Sequence, residues 1–312
     1  MATHSHAGHH HHIDPESGDR RVGLAILVNL LLTGAQIIGG LAAGSLALIA
    51  DALHNFSDAV SLIIAFAARK ISRRPANAAM PFGYARIEIV AALINYTTLI
   101  VIGLYLILEA VNRFLDPQPT DGWLIIVIAA VALTIDLLTA ALTYRLSKTS
   151  VNIRAAFLHN LADALGSLAV IIAGILIMLF GWQFVDPLAT LLIAGYILWQ
   201  AFAEIGTVIR LLMLGGPAHL DPAGIVSDLE SLDGLRAVHQ ARLWHLDENR
   251  LALDAHLVIA RGHWQRADQI KAAAKERLAG SYDIQFTTLE LECSTHACQS
   301  APVFGHQALS RA

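Results

Sequence analysis

Six long apolar segments constrain the fold of this chain more than any other feature of its sequence. Each has roughly the 20 residues that an α-helix needs to cross the hydrocarbon core of a bilayer. The segments run over about residues 22–43, 46–68, 87–112, 122–144, 155–179 and 183–209. Because backbone polar groups inside a bilayer must be satisfied within the protein, these segments predict six transmembrane helices.

Composition agrees with a membrane protein. The chain has 312 residues, of which 55% are hydrophobic and 15% charged, and its mean hydropathy is +0.56. That balance is too apolar for an ordinary soluble domain. A formal charge of −4 predicts no nucleic-acid partner. The two cysteines both lie near the C-terminus and do not form a disulfide framework.

Basic residues predict the orientation of the helices. Lys and Arg concentrate before the first span, between the second and third, and between the fourth and fifth, whereas the other connections carry almost none. Because positive charge marks the cytoplasmic side of a membrane, both termini are expected in the cytoplasm. We therefore expect a multi-pass protein of the inner (plasma) membrane, with the lipid bilayer as its surroundings.

Changes in composition predict four regions. Residues 1–20 form a polar, histidine-rich tail that is expected to be disordered, either a native metal-scavenging tail or a purification tag. Residues 21–213 hold the six-helix transmembrane domain. Residues 214–298 alternate in the manner of a cytoplasmic α+β domain with the order αββαβ. Residues 299–312 are expected to form a flexible C-terminal tail.

Histidine and aspartate recur at one spacing within two apolar segments. His54 and Asp58 are four residues apart in the second segment, and His159 and Asp163 repeat the spacing in the fifth. Residues four apart lie on one face of a helix. Ionisable groups at bilayer depth cost at least about 2.5–3.5 kcal/mol each, so they rarely persist without a function.

Together these four side chains predict a metal site. Two imidazoles and two carboxylates suit tetrahedral Zn²⁺, with ligand distances of about 2.0–2.2 Å. Metal binding requires neutral histidine and ionised aspartate, so protons compete with the metal. The alternative interpretation is a pair of buried His–Asp contacts that only join two helices.

Two further buried acids leave several interpretations open. Asp51 is one turn before His54 and is either a fifth ligand, a proton relay or a group that caps the helix start. Asp136 lies in the middle of the fourth span. It is either a proton relay, a partner for Asn95 or a simple helix–helix hydrogen bond.

The chain resembles the cation diffusion facilitator family of divalent-metal transporters. The resemblance rests on the two His-x-x-x-Asp pairs, on residues 82–88 (Phe-Gly-Tyr-Ala-Arg-Ile-Glu), on Asp186-Pro187 and on the αββαβ tail, which is similar to the family's metallochaperone-like domain. It implies a homodimer that exports Zn²⁺ in exchange for H⁺ around the four-ligand site. It also implies that His54 favours zinc over cadmium.

The C-terminal region carries further candidate ligands. His239 and His256 fall where the family's cytoplasmic domain binds zinc, and Cys293, His296 and Cys298 form a compact group with ligand chemistry. Their expected role is regulatory, because metal at these residues would favour one state of the dimer.

These observations predict a secondary transporter, not an enzyme. The alternative is a membrane zinc sensor or scaffold that binds zinc without moving it. An intramembrane metalloprotease is disfavoured, because the sequence has no His-Glu-x-x-His motif.

Overall fold

The structure is a computed structural model that describes residues 15–147, 151–247, 250–298 and 301–305. Its first part consists of six long helices, as the sequence predicts. They are α1 (Pro15–Ala43), α2 (Leu46–Ser72), α3 (Ile87–Leu115), α4 (Gly122–Ser147), α5 (Val151–Phe180) and α6 (Val185–Leu212). Among the described residues, α2 to α6 each contain an apolar stretch long enough to cross a membrane, and Asn29–Ala43 of α1 is a shorter apolar helix.

The start of α1 differs from the prediction. The helix begins at Pro15, within the stretch 1–20 that was expected to be disordered. Proline is well suited to the first helical position, because its fixed φ is already helical and its missing N–H would have no partner there. The histidine run His9–His12 lies outside the described residues, so the prediction for that part of the tail stays a prediction.

The contacts divide the chain into two compact units. One contains the residues up to Phe66 together with Asn95–Ala203, and the other contains Ala67–Ile94 together with the residues from Glu204 onward. Of the five membrane-length helices, α2 has the largest buried share. Its apolar stretch is 53% buried, against 22% to 33% for the other four. Among these five helices in the described part of the chain, the one that carries His54 and Asp58 is therefore the most surrounded by protein.

Glycines with positive φ end two of the helices. Gly44 has a φ of 68° in the turn between α1 and α2, and Gly181 has a φ of 67° just after α5. The left-handed conformation is nearly free of strain for glycine, and it directs the chain out of the helix. The N–H of Gly181 donates to the carbonyl of Ile177 at 2.8 Å, which satisfies an end group of α5.

The C-terminal part of the chain is a small α+β fold in the predicted order. Its elements are α7 (Pro222–Glu230), β1 (Leu235–His245), β2 (Leu251–Ile259), α8 (Ala267–Tyr282) and β3 (Phe286–Cys293), with a 3₁₀ turn at Trp264–Arg266. The carboxylate of Asp221 caps α7 by accepting the N–H groups of Ala223 and Gly224. Apolar side chains of both helices, among them Leu229 and Leu278, are fully buried with those of the sheet.

The three strands place two predicted ligands opposite each other. The sheet order is β1-β2-β3, with β1 antiparallel to β2 and β2 parallel to β3. His239 on β1 pairs with His256 on β2. The register shifts directly after His239, where Gln240 has a φ of 51°. Such a bulge re-aims the neighbouring side chains of its strand.

Part of the C-terminal tail is ordered by β1. Residues 299–312 were expected to be flexible, but Phe304 forms a parallel bridge with Ala241. The N–H of Gln240 donates to Pro302, and that of Ala241 donates to Val303. These contacts lie at the bulge, where the backbone groups of β1 are not used by β2. Residues 301–305 thus contact β1, and the flexibility of the tail stays a prediction.

Candidate functional site

His54, Asp58, His159 and Asp163 converge between α2 and α5, and we refer to them as the helical cluster. Each offers one ligand atom, and these atoms all lie within 4.8 Å of one another. The closest contacts run between the helices. His54 Nε2 is 3.2 Å from Asp163 Oδ1, and His159 Nε2 is 3.1 Å from Asp58 Oδ2.

Contacts along each helix are longer than those across the cluster. His54 Nε2 is 3.7 Å from Asp58, and His159 Nε2 is 3.5 Å from Asp163. The four-residue spacing thus aligns each pair on its helix, and the facing helix supplies the nearer partner. Both imidazoles present Nε2 to the same small volume as two carboxylate oxygens. This donor set is one that a tetrahedral divalent ion such as Zn²⁺ uses.

The members of the helical cluster differ in exposure. The side chains of His54 and Asp163 are 8% and 9% exposed, whereas those of Asp58 and His159 are 24% and 36% exposed. His54 and Asp163 are therefore enclosed by protein, whereas Asp58 and His159 are partly exposed.

Asp51 lies outside the helical cluster and has partners of its own. Its Oδ2 accepts a hydrogen bond from Gln36 Nε2 at 2.6 Å. Gln36 is oriented in turn by Asn55, whose Nδ2 donates to Gln36 Oε1 at 3.0 Å. Asp51 was predicted as a fifth ligand, a relay or a cap, and the group of four ligand atoms does not include it.

Asp136 is paired with a serine rather than with Asn95. The hydroxyl of Ser167 on α5 lies 3.1 Å from Asp136 Oδ2. Asn95 instead accepts hydrogen bonds from Ser57 and Ser61 on α2. Of the predicted interpretations of Asp136, the pairing with Asn95 is therefore wrong, and the contact with α5 is a helix–helix hydrogen bond.

A second group of ligand atoms lies on the sheet of the C-terminal part. His239, His256, Glu292 and Cys298 each place one ligand atom within 4.8 Å of the others, and we call them the C-terminal cluster. His256 Nδ1 is 2.6 Å from Glu292, and His239 Nε2 is 3.3 Å from the same carboxylate. The thiol of Cys298 is 3.3 Å from Glu292 Oε1. Imidazole, carboxylate and thiolate together are zinc ligands.

Glu292 is held in its ionised form. Burial opposes ionisation of this carboxyl, but it accepts the backbone N–H of Cys298 and a hydrogen bond from His256. These contacts, with the nearby His239, lower the pKa of Glu292 to about 2. The hydrogen bond between the Cys298 thiol and Glu292 raises the pKa of that thiol. A carboxylate ready to bind a cation is thus present at any ordinary pH.

The C-terminal cluster differs from its predicted membership. Glu292 was not predicted, although an acidic residue on the strand beside His256 is a usable signal. Cys293 and His296 were predicted, and the group among the described residues does not contain them. Successive side chains of a strand point to opposite faces, so Cys293 cannot share the face of Glu292. His296 lies in the turn that follows β3.

Comparisons with known proteins match the helical part and the C-terminal part of the chain separately. Residues 22–213 match the cation efflux transmembrane domain, and residues 217–293 match the cytoplasmic domain of cation efflux proteins. The chain is 34% identical to a cadmium, cobalt and zinc/H(+)-K(+) antiporter of Bacillus velezensis, over 93% of each chain.

Two further relatives cover nearly the whole chain. The zinc transporter ZitB of Pectobacterium atrosepticum is 34% identical over 91% of this chain and 88% of its own. The metal cation efflux system protein CzcD of Cupriavidus metallidurans is 30% identical over 95% of this chain and 93% of its own.

Proposed function

Because the chain belongs to the cation efflux family of multi-pass membrane transporters, which are not enzymes, we propose that it exports Zn²⁺ from the cytoplasm in exchange for H⁺. The single observation that carries the proposal is the helical cluster. Two imidazole nitrogens and two carboxylate oxygens meet at one point between α2 and α5. The similar proteins named as a zinc transporter and as a cadmium, cobalt and zinc/H(+)-K(+) antiporter support the choice of ions.

The cluster links metal and proton through the same atoms. A proton on His54 Nε2 occupies the lone pair that a metal would use, and Asp163 on the facing helix lies 3.2 Å away to accept its hydrogen bond. His159 and Asp58 form the same arrangement at 3.1 Å. Protonation thus replaces metal–ligand bonds by hydrogen bonds between the helices. Alternating access around the cluster then exchanges one kind of ion for the other.

We further assign the regions of the chain to parts of this cycle. Residues 21–213 carry the transport path, and residues 214–298 form a cytoplasmic domain in which the C-terminal cluster binds regulatory zinc. Basic residues in the connections support an inner-membrane protein with both termini in the cytoplasm. Resemblance to the family supports a homodimer, in which zinc at the C-terminal cluster favours one state of the transporter.

Zinc flux into proteoliposomes separates transport from sensing. Purified protein is reconstituted into vesicles that enclose a zinc-sensitive dye, and a pH gradient is imposed across the membrane. We expect zinc uptake that requires the gradient and that disappears in Asp163→Ala. Asp116→Ala, a change of the same kind in the connection between α3 and α4, is the control and retains wild-type flux. A wild-type protein that binds zinc but shows no flux under any gradient is a sensor, and the transporter proposal then fails.

A further inference from the structure

Two carboxylates of the helical bundle share a single hydroxyl group. Ser167 Oγ on α5 lies 3.1 Å from Asp136 Oδ2 on α4 and 3.5 Å from Asp51 Oδ2 on α2. All three residues are buried, with exposures of 0%, 8% and 3% respectively. We call Asp51 and Asp136 the carboxylate pair. Neither belongs to the group of four ligand atoms in the helical cluster.

The hydrogen bonds of the pair are incomplete when both carboxylates are ionised. A serine hydroxyl has one proton, so it can donate to only one of the two oxygens that it contacts. The amide of Gln36 supplies one more donor, and it serves Asp51 alone. Two like charges around one donor in a buried site repel each other strongly, and a proton on one carboxyl relieves the repulsion. The geometry therefore fits a pair that carries one proton.

Gln36 holds Asp51 in this position. Its Oε1 accepts from Asn55, so its amide N–H group is left to face Asp51. Gln36 is fully buried, and Asn55 is nearly so. This arrangement keeps Asp51 aimed at Ser167 rather than at the ligand atoms of the helical cluster.

The charge of the helical cluster acts on the pair. The titratable groups that face Asp51 are His54 on its own helix, Asp136 on α4 and Asp163 on α5. Those that face Asp136 are His54, His159 and Asp163. A divalent ion bound among these residues brings two positive charges close to the pair, and it thereby favours the form in which both carboxylates are ionised.

We propose that Asp51 and Asp136 together hold one exchangeable proton, separate from those of the metal ligands, which leaves when a divalent metal enters the helical cluster. The proposal rests on the exchange of Zn²⁺ for H⁺ proposed above. The O–H bond of the protonated carboxyl breaks, its proton passes to water, and the electron pair stays on the carboxylate. When the metal leaves, one proton from water returns to the pair.

Proton release on zinc binding tests this proposal. Full-length protein in detergent is titrated with Zn²⁺ in weakly buffered solution, and the released protons are counted with a pH indicator. The signal of each protein is corrected by its Asp163→Ala counterpart, so that zinc bound at the C-terminal cluster cancels. Asp51→Asn and Asp136→Asn are each expected to release about one proton fewer per zinc than wild type.

The pH dependence of zinc affinity gives a second readout. Lowering the pH by one unit weakens zinc binding in every protein. In either asparagine variant the factor of weakening should be about 10-fold smaller than in wild type, because one linked proton is missing. Thr134→Val is the matched control. It removes a hydroxyl from α4 that bonds only to the backbone of its own helix, and it keeps the wild-type proton count.

The outcomes are distinct. A wild-type proton count in both asparagine variants overturns the proposal, while the loss of one bound zinc per chain in Asp163→Ala still supports the transport site. An unchanged number of bound zinc ions in Asp163→Ala overturns the proposed function instead. If neither asparagine variant folds, Ser167→Ala decides, because it keeps both carboxylates and removes their shared donor. Zinc-driven proton release then moves to higher pH, and an unchanged pH profile contradicts the proposal.

Discussion

The carboxylate of Asp186, at the start of α6, accepts the backbone N–H of Leu46 at the start of α2 at 2.7 Å. It also accepts the hydroxyl of Ser45 at 2.5 Å and the N–H of Ala47 at 3.3 Å. The first N–H groups of a helix have no partner within it, so α2 is capped here by a residue of another helix. This contact holds the beginning of the helix that carries His54 and Asp58.

Arg113 adds a third helix to this junction. Its guanidinium lies 3.9 Å from Asp186 and donates to the carbonyl of Gly44, which ends the turn after α1. Asp186 and Ser45 are fully buried. Since the ends of α1, α2, α3 and α6 meet at one buried carboxylate, we expect this end of the bundle to keep its arrangement during transport.

Removal of the Asp186 carboxylate should destabilise the protein more than removal of an ordinary cap. Asp186→Ala leaves the buried N–H groups of Leu46 and Ala47 and the hydroxyl of Ser45 without their acceptor, and each unsatisfied group costs about 1–3 kcal/mol. We expect a clearly lower midpoint of thermal unfolding in detergent. Asp121→Ala is the control, because Asp121 is exposed and caps only its own helix, α4. Equal effects of the two substitutions would argue against a special role for Asp186.

The metal preference of the helical cluster should depend on His54. His54→Asp replaces an imidazole by a smaller oxygen ligand, which leaves more room for a larger ion such as Cd²⁺ and changes the donor set. We expect the ratio of cadmium to zinc transport to rise by at least about 10-fold. His219→Asp makes the same chemical change at an exposed position outside both clusters and should leave the ratio unchanged. A variant that transports zinc with an unaltered ratio would show that His54 does not set selectivity.

The two cysteines should contribute unequally to zinc binding in the C-terminal cluster. Cys298 contacts Glu292 within the cluster, and Cys293 lies outside it. In an Asp163→Ala background, which removes the helical cluster, Cys298→Ser should weaken zinc binding by at least about 10-fold. In the same background, Cys293→Ser should leave the zinc affinity unchanged, as measured by isothermal titration calorimetry. Equal weakening by both substitutions would mean that the cluster is assembled differently when zinc is bound.

Glycine has different roles in α5 and α6. A Cβ on Gly174 would lie 2.9 Å from Ile126 and 3.0 Å from the carbonyl of Gly122, whereas one on Gly195 would meet nothing within 4 Å. Gly174→Ala should therefore force α4 and α5 apart and cost about 1–3 kcal/mol of stability. Gly195→Ala should cause no loss, because alanine is the better helix former. The midpoints of thermal unfolding of the two variants test this prediction. A loss of stability in Gly195→Ala alone would contradict the packing described for α5.

Much of the architecture follows from local features of the sequence. Length and apolar character placed the helices, because a membrane span depends on its own residues. The four-residue spacing of His54 and Asp58 placed both on one face of α2 for the same reason. Alternation predicted the strands of the C-terminal part, and its order αββαβ is confirmed. By contrast, the helical start at Pro15 and the contacts of residues 301–305 with β1 were missed, because polar composition alone was taken to mean disorder.

What the sequence alone determined is therefore the set of helices and strands and the side chains that share a face on each. Only the tertiary structure decided which of these faces meet. His54 finds Asp163 across 109 residues, and Leu46 finds Asp186 across 140. Glu292 joins His256 through the parallel pairing of β2 and β3. The repeated spacing predicted that α2 and α5 share a site, but the individual partners leave no local pattern, because their proximity depends on how complete elements pack.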